Sequence, residues 1–196
     1  MSRITKPAGV LIALGVALAA CSSGDPRATQ TTGGTAATAG DRGCGLQRVE
    51  LTQGDPIPDS CLFETFEDAR MVSIGEFRAG RPLVLNFWAS WCTFCIKEMP
   101  DFQRVHDDVG DRVPFLGLDL LGVQGETRGA ATTLAARTGV SYPLGYDADG
   151  ALYLRLSPRV LMPTTVFVRA DGTIALRQFG PLTEQQLRGL IDEHLT

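Results

Sequence analysis

The chain has 196 residues, five cysteines, 44% hydrophobic residues and a formal charge of −4. Its Lys and Arg residues are not clustered, so it carries no electrostatic footprint for a nucleic acid. Once the N-terminal segments are set aside, about 150 residues remain, the size of one ordinary domain, with no internal repeat or second core.

Residues 1–20 begin with Arg3 and Lys6 and continue as the apolar run Val10 to Ala20. That run is shorter than the roughly 20 apolar residues of a spanning helix and fits the apolar region of a secretory signal peptide. Leu18-Ala19-Ala20-Cys21 resembles the bacterial lipobox. The resemblance implies that Cys21 is lipidated and becomes the mature N-terminus. Residues 21–43 are rich in Ser, Thr, Gly and Ala and nearly free of large apolar side chains. Such a segment cannot offset its own ordering entropy, so a flexible tether is expected. The expectation is therefore an extracytoplasmic protein, anchored to the cell membrane through lipid, with its domain at 44–196.

Within the domain, Ile57 to Phe77 reads as an irregular N-terminal hairpin with Val72-Ser73-Ile74 as one arm. Pro82 opens a buried strand, Leu83 to Ser90, which hands over to a helix after Cys92. On that helix Ile96, Phe102, Val105 and Val109 recur at near-helical spacing, and Pro100 is predicted to kink it. Val113 to Leu120 is the next buried strand. Glu126 to Thr138 is an Ala-rich helix that Gly139 would cap, and Tyr142 to Tyr146 and Ala151 to Leu156 follow it. Thr164 to Arg169, the turn Ala170-Asp171-Gly172 and Thr173 to Arg177 predict an antiparallel hairpin. In the last helix Thr183 and Gln186 predict a capping box, Leu182 and Leu187 a staple, and Leu187, Leu190, Ile191 and Leu195 a buried stripe. This order predicts an α/β fold: a mixed central sheet flanked by helices on both faces.

The chemistry concentrates at Trp91-Cys92-Thr93-Phe94-Cys95. Two thiols at i and i+3, where a strand meets a helix, can close a small disulfide ring. The first meets the free N–H groups and dipole of the helix N-terminus, which favour a thiolate, and the thiolate is the nucleophile of disulfide exchange. Cys92, with an exposed sulfur, is expected to attack; Cys95, more buried, to resolve the mixed disulfide. With Cys21 and this pair set aside, Cys44 and Cys61 remain. Outside the cytoplasm they read as a structural disulfide that staples the tether to the first strand, worth ~3 kcal/mol in the chain-entropy model. A pair that exchanges with Cys92, and a four-cysteine zinc site, are the alternatives. His106 and His194 read as structural residues, Trp88 as core.

The run Asn86-Phe87-Trp88-Ala89-Ser90-Trp91-Cys92-x-x-Cys95-x-x-Glu98-Met99-Pro100, with Met162-Pro163-Thr164-Thr165 downstream, resembles thioredoxin-fold proteins of the extracytoplasmic TlpA/ResA-like thiol–disulfide oxidoreductase family. The resemblance covers roughly residues 55 to 196 and implies a thioredoxin-like fold with a family-type insertion after the second buried strand. It implies that Pro163 is a cis-proline and that Trp91, Met162 and Pro163 form the substrate-docking surface. Thioredoxins carry a buried Asp at the place of Asn86, whereas this branch commonly has Asn. Glu98 matches a glutamate near the active site that could take or give the proton of Cys95 once desolvated. Phe94 makes the spacer between the cysteines apolar, which favours unfolded or apolar substrate segments.

The function implied is exchange of disulfides with protein substrates, in the reducing direction, as in cytochrome c maturation or disulfide repair. A membrane electron donor or acceptor would serve the thiol pair. A monomer is expected, with no cofactor and no metal. The alternatives are a disulfide-forming oxidase of exported proteins and a metal-binding thioredoxin-fold chaperone; the latter wants CxxxC and a distant His, a spacing this chain lacks.

Overall fold

A computed structural model of the protein describes residues 43–45 and 50–196; the predicted signal peptide, Cys21 and the tether up to residue 42 lie outside the described residues. In chain order the elements are β1 (Leu62–Thr65), β2 (Met71–Ser73), α1 (Ile74–Arg78), β3 (Leu83–Trp88), α2 (Thr93–Val109), β4 (Phe115–Asp119), α3 (Arg128–Thr138), β5 (Leu144–Tyr146), α4 (Tyr153–Leu156), β6 (Thr164–Val168), β7 (Ile174–Phe179) and α5 (Glu184–His194). The strands form one sheet in the order β2-β1-β5-β4-β3-β6-β7. β3 runs parallel to β4 and antiparallel to β6, which makes the sheet mixed, as the alternation of elements predicts.

All six residues of β3 are buried, because helices cover both faces of the sheet. On one face Leu83, Leu85, Phe87, Leu116, Leu118 and Val166 meet Ile74, Tyr153 and Leu156. On the other, Val84, Phe115 and Phe167 meet Phe102 and Val105 of α2 and Leu187 and Ile191 of α5. Trp88, Cys92 and Cys95 continue this second face toward the C-terminal end of β3, with Ala131 and Leu134 of α3 above them.

Several boundaries differ from the sequence expectation for local reasons. Ile74 leaves the hairpin, because the Ser73 hydroxyl accepts the Glu76 N–H at 3.1 Å and caps a short helix there. β3 ends at Trp88, and Ala89 turns so that its carbonyl accepts the Cys92 N–H at 3.0 Å. The Ala-rich helix starts at Arg128, since Thr127 caps it through the Ala130 N–H, which frees Glu126 to turn inward. On α2 the buried residues are Cys95, Glu98, Met99, Phe102 and Val105; Ile96 and Val109 are only partly buried. Pro100 lies within that helix, which runs through it to Val109. Gly139, at φ 67°, caps α3, and α5 opens on the Thr183–Gln186 capping box. In the β6–β7 turn Gly172 has φ +88°, and a Cβ there would lie 2.8 Å from the Arg78 guanidinium. That guanidinium, buried, pairs with Asp59 and donates to the Ala170 carbonyl.

Candidate active site

The C-terminal end of β3 and the first turn of α2 bring Cys92 and Cys95 together as a disulfide. Cys92 is the N-cap of α2, and its sulfur accepts the Cys95 N–H at 3.1 Å. A backbone donor and the helix N-terminus thus both face the sulfur that would carry charge. Cys92 is less open than the sequence suggests: it is 5% exposed, against 0% for Cys95. Both cysteines belong to an apolar cluster that includes Trp88, with Met162 packed against it. The order of exposure is nonetheless the expected one, with Cys92 the more accessible.

Apolar side chains rim this centre. Trp91 is 40% exposed and Phe94 56%, and the same end of the sheet carries Leu161 at 44% and Phe179 at 37%. Leu161 precedes Met162–Pro163, whose peptide bond is cis. Phe179 pairs across the sheet with Thr164, and Gly180 donates to the Pro163 carbonyl at 2.9 Å. Among the described residues these are four of the six exposed large hydrophobic side chains, so the apolar surface is concentrated beside the disulfide.

Glu98 faces the sheet rather than solvent. Its Oε1 accepts from Asn86 Nδ2 at 2.9 Å and its Oε2 from the Leu182 N–H at 3.0 Å. Burial pushes its carboxyl up to about 8, the two hydrogen bonds offset part of that rise, and the Asp101 charge adds to it. A cavity of about 170 Å³ adjoins it, lined by Phe94, Lys97, Asp101, Pro181, Leu182 and Thr183. The carboxyl is therefore desolvated yet within reach of solvent, the combination a proton donor or acceptor needs near neutral pH. Asn86, where thioredoxins have Asp, serves as its donor and also contacts Thr165 Oγ1 at 3.2 Å.

Three groups at the site escape the sequence reading. The Tyr153 hydroxyl accepts the Leu161 N–H at 2.8 Å and lies 2.9 Å from the Leu161 carbonyl, which anchors the loop entering Pro163. Asp119 and Glu126 are buried as well, Glu126 accepting from the N–H and hydroxyl of Ser90 at 2.8 Å each. A lone Asp inside the apolar run Val113 to Leu120 was the available signal for Asp119; Tyr153 left none. Cys44 and Cys61 form a second disulfide, separate from the redox pair. Among the described residues no group of three or more His, Cys, Asp or Glu side chains is placed to hold a metal ion, and no helix is long and apolar enough to cross a membrane.

Residues 53–177 match the AhpC/TSA family. The sporulation thiol-disulfide oxidoreductase A of Bacillus subtilis is 28% identical over 138 residues, which are 70% of this chain and 81% of that protein. The thiol-disulfide oxidoreductase ResA of Oceanobacillus iheyensis is 28% identical over 145 residues, 71% of each chain. A secreted Mycobacterium tuberculosis disulfide oxidoreductase, homologous to E. coli DsbE, superposes with a TM-score of 0.58 at 25% identity, over 67% of this chain and 94% of that one. With a cysteine pair capping a helix at the end of the central strand, and with these relatives, the chain belongs to the AhpC/TSA family and is an oxidoreductase on a thioredoxin-like fold.

Proposed function

We propose that the protein exchanges disulfides with protein substrates outside the cytoplasm, and that it runs as a reductase. The observation that carries this reading is the Cys92–Cys95 disulfide itself, with the more accessible sulfur at the N-terminus of α2 and the other fully buried. In the reduced protein the Cys92 thiolate attacks one sulfur of a substrate disulfide, and the other substrate sulfur leaves as a thiolate that takes up a proton. A mixed disulfide joins enzyme and substrate. Cys95, deprotonated, then attacks the Cys92 sulfur; the substrate leaves as a dithiol and the Cys92–Cys95 disulfide closes. Two electrons pass to the substrate, so a membrane electron donor must reduce the pair again.

Glu98 is the group that exchanges a proton with Cys95: a carboxyl held near 8 is mostly protonated at neutral pH, and its ionised minority takes the Cys95 proton while the protonated form returns one. Trp91, Met162 and Pro163, with the apolar rim of Phe94, Leu161 and Phe179, form the docking surface for an extended substrate segment. Lipidated Cys21 and the tether hold the domain, beginning at residue 44, near the membrane; the Cys44–Cys61 disulfide is structural. Reduction of apocytochrome c or of scrambled disulfides is the process this fits. The relatives named thiol-disulfide oxidoreductases support the exchange of disulfides.

The reduction potential of Cys92–Cys95 tests the reading, measured by equilibrating the chain with glutathione and trapping free thiols. A value near thioredoxin's, about −270 mV, is expected. A value near −120 mV, roughly that of a strong oxidant, would make the protein a disulfide donor instead.

A further inference from the structure

Asp119 ends β4 and has no exposed surface. Its register partners are Trp88 on β3 and Tyr146 on β5. Neighbours across a ladder share a sheet face, so Asp119 stands on the face that carries Cys92 and Cys95. Neither of its carboxyl oxygens has a hydrogen-bond partner. Glu126 turns into the same region from the loop that follows β4. Its Oε2 is satisfied by Ser90, while Oε1 is buried without a partner. Two carboxyl groups thus leave three buried oxygens unsatisfied, a costly arrangement if both are charged.

One proton removes most of that cost. A protonated carboxyl is a donor, and a carboxyl–carboxylate contact needs only one. Burial first, and the Glu126 charge second, push the Asp119 carboxyl up to about 8. Glu126, which already accepts two hydrogen bonds from Ser90, is the acceptor of the pair. The other charged groups around Asp119 have partners of their own. On β5, Tyr146 lies beside it, with the Arg128 guanidinium of α3 4.5 Å over its ring and paired with Glu64 of β1. After β5, the Asp147 N–H donates to the Asp119 carbonyl, while the Asp147 carboxylate accepts the N–H groups of Leu152 and Tyr153. On α2 the facing groups are the two cysteines.

We propose that Asp119 and Glu126 share one proton at neutral pH, and that this shared proton locks Ser90 and hence the turn from Ala89 to Cys92. Both are positioning residues: they touch neither substrate nor the sulfurs' leaving groups, and act through Ser90, two residues before Cys92. Loss of the proton leaves two buried carboxylates that repel each other, and Glu126 releases the Ser90 turn. The inference rests on Cys92 being the reacting thiol.

The test labels only the aspartate side-chain carboxyl carbons of the whole chain with carbon-13 and follows them by NMR against pH. One aspartate should titrate far above the others in the unmutated protein. Its signal should be absent from Asp119→Asn, and in Glu126→Gln its midpoint should fall because the neighbouring charge is gone. The Ser90 amide resonance should shift with the same midpoint, and stay flat in Asp119→Asn, whose amide donates to Glu126 at every pH. In the reduced chain, the ratio of Cys92 alkylation by iodoacetamide in Asp119→Asn to that in the wild type, read from the mass of the Cys92 peptide, should rise severalfold across that midpoint. Glu98 is common to both proteins and cancels from the ratio. An unmutated chain in which every aspartate titrates in the ordinary carboxylate range overturns the proposal, as does a flat ratio. If the carboxyl titration is found but the protein exchanges no disulfides, it is the functional reading that fails and the proton pair that stands.

Discussion

Glu98 keeps its proton to about pH 8 because burial disfavours its charged form more than Asn86 and the Leu182 N–H favour it. In the unfolded chain the same carboxyl titrates at its ordinary value of 4.5. Between those values the folded state binds more protons than the unfolded one. The stability tied to this group is therefore complete below pH 4.5 and is lost as pH rises through about 8. Glu98→Gln removes the ionisation but turns an amide NH₂ toward a donor that had an acceptor, a cost of about 1–2 kcal/mol in acid. The variant should unfold at lower urea than wild type near pH 5, with the deficit shrinking or reversing by about pH 9. Thiol exchange should slow in parallel. A deficit that stays constant with pH, with an unchanged exchange rate, would sink the proton role of Glu98.

At the scale of the element, the loop into Pro163 depends on α4, a single helical turn whose Tyr153 ring packs edge-on against Phe87 with centroids 5.2 Å apart. Its hydroxyl meets the backbone of Leu161 on both its N–H and carbonyl sides. Helix α4 therefore positions one wall of the proposed docking surface although it contributes no group to the chemistry. Tyr153→Phe keeps the ring and removes the acceptor of the Leu161 N–H, which should cost about 1 kcal/mol in urea unfolding. The Michaelis constant for a disulfide substrate should rise more than kcat falls, since the wall moves and the thiols do not. Unchanged stability together with an unchanged Michaelis constant would show that Thr164, which also donates to the Leu161 carbonyl, holds the loop alone.

Across the whole molecule the two disulfides belong to opposite faces of the sheet. Cys44 and Cys61 lie in the buried cluster with Leu83, Leu85 and Phe87, whereas Cys92 and Cys95 lie in the cluster around Trp88. The first pair ties the start of the domain to β1, and the chain beyond it is held by Arg177, whose guanidinium donates to the Leu51 carbonyl at 2.8 Å. This division argues for a staple rather than an exchanging pair. Replacing both Cys44 and Cys61 by Ser should lower stability by about 3 kcal/mol through the larger entropy of the unfolded chain, and leave disulfide exchange in place. Unfolding that is unchanged while exchange is lost would reverse that assignment.

Much of this protein was legible in its sequence because the signals are local. The apolar run Leu83 to Trp88, the Thr183–Gln186 capping box, the Gly139 cap and the Cys92–Cys95 spacing each act within a few residues, and each recurs in the structure. Boundaries slipped by one or two residues where a side-chain cap, Ser73 or Thr127, decided which backbone donor came first. The burial of Glu98, the hold of Tyr153 on Leu161 and the bond of Ser90 to Glu126 depend on partners 8 to 84 positions away in the chain. Only the packed sheet determines which carboxyl loses its water, since desolvation is a property of everything around a group and not of its neighbours in the chain. The pairing of Cys92 with Cys95 was thus written in the order of residues, and the burial of the carboxyl groups around it was decided by tertiary structure.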